Sequence, residues 1–146
     1  MIYFDTAYVA KCYLNEQGSD EVRTLAKRHG RVACCIFGRL ELAATFHRNF
    51  REGKITAAQR DLIFLQLQAD EANHLWTWLP MTADLLLGTA SRFGEFDSST
   101  YLRAADALHL ACAAENNFKE IFSNDRHLLG AAGVFGIKGQ NVISTT

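Results

Sequence analysis

Short apolar runs at residues 2–5, 31–35, 76–80, 118–122 and 142–143 alternate along this chain with segments long enough to be helices. The helical stretches read as 6–14, 20–29, 37–51, 57–74, 83–93, 100–116 and 126–132. Strand and helix in alternation imply a largely parallel sheet, because each parallel crossover lays a helix against one of its faces. Gly30 stops the second helix, and Thr56 and Thr82 stand where caps are needed for the helices that follow them. The expected fold is therefore α/β: a three-layer α/β/α sandwich with a short, mainly parallel central sheet. Glycines at 130, 133, 136 and 139 recur every third residue, but without proline they mark a helix end and a loop rather than a fibrous repeat.

A chain of 146 residues with 49% hydrophobic content fills one core and is too short for two ordinary domains, so residues 1–146 are expected to form a single unit. No stretch approaches the roughly 18–20 apolar residues that span a bilayer, and Asp5 stands where a secretory leader would be apolar. The expectation is a cytoplasmic protein with no membrane partner. Cys12, Cys34, Cys35 and Cys112 form no CxxC pair, and adjacent cysteines do not close a normal bridge, so buried reduced thiols are expected. A formal charge of −1 argues against a general nucleic-acid binder. The average hides an asymmetry: residues 23–61 carry nine Lys or Arg against three acids, which fits either ordinary solvated helix faces or a phosphate-facing patch.

Asp106 lies inside LRAADALHLACAA, an apolar, alanine-rich helical run where an ionised carboxylate needs a partner to offset its desolvation. Asp5 and Asp125 fall just past the expected ends of the first and fourth strands, and Glu41 interrupts the third helix near its start. Ligands of open α/β sheets bind at the carboxyl ends of the strands, and all four acids can reach that edge. Clustered carboxylates repel unless a cation compensates. A hard divalent ion such as Mg²⁺ suits an all-oxygen set that also takes substrate phosphate, and phosphodiester hydrolysis by an activated water is the chemistry such a site serves. The five histidines show no zinc-like spacing. Each acid also has a structural account of its own: Asp5 and Asp125 as helix N-caps, Glu41 paired with Arg39 or Arg48, Asp106 paired with Arg103.

Taken together, IYFDTAYVAKCYL at the start, LELAATFHR around Glu41, LRAADALHLA around Asp106 and SNDRHLLGAAG around Asp125 resemble the PIN-domain ribonucleases of the VapC toxin type, over nearly the whole chain. The resemblance implies a PIN-like fold and Mg²⁺- or Mn²⁺-dependent endonucleolytic cleavage of RNA. It implies Asp5, Glu41, Asp106 and Asp125 as metal-binding catalytic acids, with Thr6 and Ser123 supporting them; Arg103, three residues before Asp106 on the same helix, is the supporting residue expected to orient it. It also implies a cognate VapB-like antitoxin that silences the site. The segment before Glu41 lacks the Ser or Thr common at that helix start, and Ser123 stands where threonine is common; neither change removes an acid. The basic segment makes Arg39, Arg48 and Arg51 the candidate RNA-binding residues. An apolar surplus at Phe37, Phe46, Phe50, Ile63, Phe64 and Leu67 fits either a thick core or a homodimer built on residues 37–74. DnaQ-like exonucleases require a second acid two residues after the first, and receiver domains an acidic pair at the first strand; the sequence supplies neither. The alternative from a different class is a catalytically inactive module of the same fold that binds RNA or protein.

Overall fold

A computed structural model describes residues 1–145. The elements run β1 (Ile2–Phe4), α1 (Thr6–Tyr13), α2 (Ser19–His29), β2 (Val32–Cys35), α3 (Ile36–Arg51), α4 (Ala57–Ala72) and β3 (Trp76–Leu79). They continue with α5 (Ala83–Arg92), α6 (Ala104–Glu115), β4 (Glu120–Phe122), α7 (Arg126–Ala131), a 3-10 turn (Ala132–Phe135) and β5 (Lys138–Gln140). The five strands form one all-parallel sheet in the order β3-β2-β1-β4-β5.

Period-two alternation along the strands builds the three layers. Tyr3, Ala33, Cys35 and Ile121 point into one apolar cluster with α5, α6, α7 and the 3-10 turn. Their neighbours Phe4, Val32, Cys34 and Phe122 point the other way, into a cluster with α1 to α4. Both faces of the sheet are covered, which is why VACC of β2 is buried at every position.

Local chemistry sets the helix ends. Thr56 and Gln59 form a reciprocal capping box at the start of α4, with bonds of 2.8 and 3.1 Å. The Thr82 hydroxyl accepts the Leu85 N–H at 3.0 Å to open α5. Gly30 closes α2 at φ 70°, a left-handed conformation that disfavours any residue with a Cβ. α3 opens from Cys35 without a side-chain cap.

Two expectations need correcting. The last strand is Lys138–Gln140, not residues 142–143. A Lys-Gly-Gln segment has little strand propensity, but it meets the open edge of β4 in register, and pairing overrides propensity. Gly139 is needed there, since a Cβ would lie 3.0 Å from the Leu129 backbone. Val142 and Ile143 instead pack into the cluster of α1 to α4, with the Val142 N–H donating to Tyr8 Oη at 3.0 Å. The other correction is that α6 starts at Ala104 rather than residue 100, with Arg103 extended at its N-cap, so Asp106 lies in the first turn.

Cys34, Cys35 and Cys112 are buried and Cys12 is partly buried, all as free thiols. Among the described residues no helix is long and apolar enough to cross a membrane. Of the expected apolar surplus, Phe46 and Leu67 are fully buried and belong to the core. Phe37, Phe50, Ile63 and Phe64 are half-buried, and the exposed large apolar side chains on these helices are Ile36, Leu40, Leu62 and Leu65.

Candidate active site

β1 is the central strand, and the chain grows from it first towards β2 and β3, then on its other side through β4 and β5. The crevice beyond the carboxyl ends of β1 and β4 is therefore a topological switch point, where diverging connections leave room for a ligand. Asp5 is the first residue after β1, Ser123 the first after β4, and Asp125 follows two positions later. Helices α1, α6 and α7 all begin here, from Asp5, Arg103 and Asp125. Their N-terminal ends present partial positive charge to the carboxylates beside them.

Asp5 is the most enclosed of the acids, 5% exposed. Its Oδ1 accepts the Tyr8 N–H at 2.9 Å and its Oδ2 the Ser123 hydroxyl at 2.5 Å. Burial pushes the carboxyl up to about 6, with the Ser123 and Tyr8 hydrogen bonds offsetting part of the shift. Ser123 Oγ in turn accepts the Asp125 N–H at 2.9 Å, so one hydroxyl ties the ends of β1 and β4 together. Asp125 Oδ1 caps α7 through the N–H groups of His127 and Leu128. Its Oδ2 receives Arg103 Nη2 at 3.2 Å, while Arg103 Nε donates to Asp106 Oδ2 at 3.0 Å. Glu41 reaches the same cleft from the second turn of α3. Its Oε1 accepts the Thr6 hydroxyl at 2.7 Å and lies 2.9 Å from His109 Nε2. Burial would raise its pKa, but the bonds from His109 and Thr6 outweigh burial and hold it below the ordinary glutamate value.

Asp5, Glu41, Asp106 and Asp125 line one cleft of about 320 Å³, together with Thr6, Lys11, Arg48, Arg103 and His109. The cleft thus joins the expected acids to three cations, an arrangement suited to receiving a phosphate beside a carboxylate cluster. The structural accounts of the acids hold as well: Asp5 and Asp125 cap helices and Asp106 pairs with Arg103. Capping and lining the cleft are compatible, because a cap uses one carboxylate oxygen and leaves the other. Glu41 pairs with neither Arg39 nor Arg48. Arg39 turns away to Glu71 at 2.6 Å, and Glu71 also accepts the Trp78 indole N–H, so Arg39 braces α3 against α4 and β3. Arg51 is exposed at the far end of α3, outside the residues that line the cleft. The basic segment therefore does not form one surface at this cleft.

Lys11, Glu16, Thr45, Asn124 and His109 are polar cleft residues that the sequence does not single out. Lys11 is nearly buried, with its ammonium 3.0 Å from Glu16 and 2.9 Å from the Gln17 carbonyl. His109 is 2% exposed in the same apolar run that makes Asp106 conspicuous, and that anomaly was the signal available for it. Burial alone would depress its pKa; the neighbouring Cys34 sulfur and the Glu41 carboxylate, which accepts from Nε2–H, reverse this and lift it above the ordinary histidine value. Gly38 provides the space for this packing. A Cβ at position 38 would lie 2.5 Å from Cys34 Sγ, 3.0 Å from Thr6 Oγ1 and 3.2 Å from His109 Cε1. Gly38→Ala is expected to cost about 1–3 kcal/mol by overpacking, read as a lowered urea midpoint; an unchanged midpoint would mean that the neighbours yield freely.

Among the described residues, no three His, Cys, Asp or Glu side chains stand close enough together to hold a metal ion. The donor set nonetheless fits a hard cation. Its four acids offer only oxygen ligands, and the Arg103 guanidinium already stands as a positive charge shared by Asp106 and Asp125.

The sequence model of the PIN domain family matches residues 2–134. No curated protein matches the chain.

Proposed function

The chain belongs to the PIN domain family, generally a metal-dependent nuclease fold, and from that premise we propose that it is a Mg²⁺- or Mn²⁺-dependent endoribonuclease of the VapC toxin type. The observation that carries the proposal is the convergence of Asp5, Glu41, Asp106 and Asp125 on one cleft at the switch point of the sheet. These four acids would hold the metal, with Ser123 and Thr6 fixing the carboxylates of Asp5 and Glu41; Arg103, which bridges Asp106 and Asp125, would have to give up that place to the ion. When bound, the ion supplies charge compensation for the phosphate and acidifies the attacking water. Arg48 flanks the acids and would receive substrate phosphate, whereas Lys11 is committed to Glu16 and the Gln17 carbonyl. Three helix N-terminal ends add fixed positive potential to the same cleft.

Incubation of the purified chain, free of any inhibitor, with structured RNAs in Mn²⁺, in Mg²⁺ and in chelator tests the reading. Internal cuts that appear only with metal support it. RNA that is bound and left intact under all three conditions would favour the inactive binding module instead.

Arg48 is the cation for which the cleft predicts a role in RNA binding. Arg48→Gln is expected to weaken binding of uncleaved RNA in chelator and to reduce the slope of log affinity against log salt by about one. Arg39→Gln is expected to leave that slope unchanged and to destabilise the fold instead, since Arg39 is committed to Glu71. Equal slopes for the wild type and Arg48→Gln would place the RNA path elsewhere.

The toxin reading adds an inhibitor and a second copy of the chain. A VapB-like antitoxin would present a cation to the acids in place of Arg103. A homodimer would use the helices between residues 37 and 74, where Leu40, Leu62 and Leu65 remain exposed. Light scattering at micromolar concentration tests the dimer, and co-purification with the product of an adjacent small gene tests the inhibitor. A monomer without such a neighbour, harmless when expressed, would remove the toxin role and leave the nuclease reading in place.

A further inference from the structure

His109 sits at the centre of a buried hydrogen-bond chain that ends on Glu41. The Cys35 backbone N–H donates to Tyr3 Oη at 3.0 Å, and Tyr3 Oη lies 3.0 Å from His109 Nδ1. On the far side of the ring, Nε2 is 2.9 Å from Glu41 Oε1 and 3.0 Å from Thr6 Oγ1. Thr6 gives its own hydroxyl proton to Glu41 Oε1. Tyr3 is fully buried and fixed at the centre of the sheet on β1, while His109 comes from α6, Glu41 from α3 and Thr6 from the start of α1. Four elements therefore meet at a single glutamate.

The chain fixes which face of the imidazole carries a proton. In the neutral ring Tyr3 Oη–H donates to Nδ1, which leaves the hydrogen on Nε2. In the cationic ring Nδ1–H donates to Tyr3 Oη, and Nε2 still bears its hydrogen. In both states Nε2–H faces Glu41. Both Glu41 bonds fall on Oε1, so Oε2 is the oxygen left for a ligand. Packing holds the ring in place as well, with Tyr3 and His109 in an edge-to-face contact at 6.1 Å.

We infer that Tyr3 and His109 are positioning residues: they hold Glu41 with Oε2 available to a divalent cation in the cleft and contribute to metal affinity without touching metal or RNA. This rests on the nuclease reading above and deepens it. Hydrogen-bond partners one step removed from a metal typically contribute about 10–100-fold to affinity or activity. A buried histidine that served packing alone would make no such contribution.

Three variants separate positioning from packing. Tyr3→Phe keeps the ring and removes only Oη. His109→Leu fills the space without a donor, and His109→Gln restores an N–H at the far end of the side chain. Mn²⁺ affinity is measured by calorimetry on each folded variant, alongside kcat and KM for RNA and the melting temperature in chelator. His109→Leu is expected to weaken Mn²⁺ binding about 10–100-fold and to lower kcat while KM for RNA stays unchanged. Tyr3→Phe should show a smaller loss in the same direction, and His109→Gln should recover most of the Mn²⁺ affinity. Unchanged Mn²⁺ affinity in folded Tyr3→Phe and His109→Leu overturns the inference, as does His109→Gln binding no better than His109→Leu.

Nitrogen-15 NMR of the metal-free wild type gives a reading independent of the metal. It is expected to show Nε2 of His109 protonated, and a bare Nε2 overturns the positioning role whether or not Mn²⁺ binds. A protonated Nε2 in a protein that binds no Mn²⁺ overturns the nuclease reading and the inference with it.

Discussion

Asp106→Asn is expected to lower metal-dependent RNA cleavage by on the order of 10²–10³-fold, the scale of losing one pre-organised electrostatic group at a reacting phosphate, while leaving the fold intact. Asp106 stands in the first turn of α6 with its carboxylate open to the cleft, bonded through Oδ2 to Arg103. The Arg103 side chain is largely exposed although that of Asp106 is not, and Arg103 keeps Asp125 as a partner in the variant, so the fold is expected to survive the loss of this pair. Asparagine preserves shape and removes the charge. Cleavage of one RNA by the wild type and the variant under matched Mn²⁺, with thermal unfolding beside it, makes the comparison. A folded variant that cleaves at the wild-type rate would exclude Asp106 from the reaction.

Asp5→Asn has the second large effect, and it changes stability as well as activity. The Asp5 carboxyl has a folded pKa of about 6 against an ordinary value of 3.8, raised chiefly by burial. A raised folded value means that the fold prefers the neutral acid. The protein is therefore most stable in this respect below the unfolded value, loses stability as the pH climbs between the two, and carries the full cost above the folded value. That cost is about 3 kcal/mol in the metal-free protein. Asparagine keeps one oxygen to accept the Tyr8 N–H and so retains the cap of α1, while its NH₂ replaces the oxygen that accepts from Ser123 and donates to Ser123 Oγ instead. In chelator near neutral pH or above, Asp5→Asn should be the more stable protein, and its advantage should fade below about pH 4. Metal-dependent cleavage should be lost. Urea unfolding of both proteins across this range is the check; a variant no more stable than the wild type at alkaline pH would mean that Asp5 is comfortably ionised without metal. The same shift predicts that metal binding releases a proton from Asp5 below about pH 6 and tightens as the pH rises through that value.

Much of the fold was legible because strand and helix alternate with clear stops. Gly30, Thr56 and Thr82 mark ends by local chemistry, and the short apolar runs of β1, β2 and β4 follow from a sheet buried on both faces. β5 was not legible: Lys138–Gln140 forms a strand because β4 offers an unpaired edge, a tertiary fact absent from local propensity. The start of α6 was misplaced for a related reason, since Arg103 is held extended where it reaches both Asp106 and Asp125.

The four acids stood out because a carboxylate in an apolar run demands an explanation, and the cleft gathers them together. The cations were harder to place. Arg39, Arg48 and Arg51 share a helix but not a direction, and only the fold separates the one in the cleft from the one committed to Glu71. His109 is not conspicuous in the sequence because the histidines show no ligand-like spacing and its partners Tyr3, Thr6 and Glu41 lie far away along the chain.

Diffraction from crystals soaked in Mn²⁺, recorded at the manganese absorption edge, shows whether the four acids hold a metal. An anomalous peak is expected within coordination distance of Asp106 and at least one more of Asp5, Glu41 and Asp125, with the Arg103 guanidinium displaced from between Asp106 and Asp125. A cleft without a peak, with Arg103 still bridging the two aspartates at saturating Mn²⁺, would contradict that expectation.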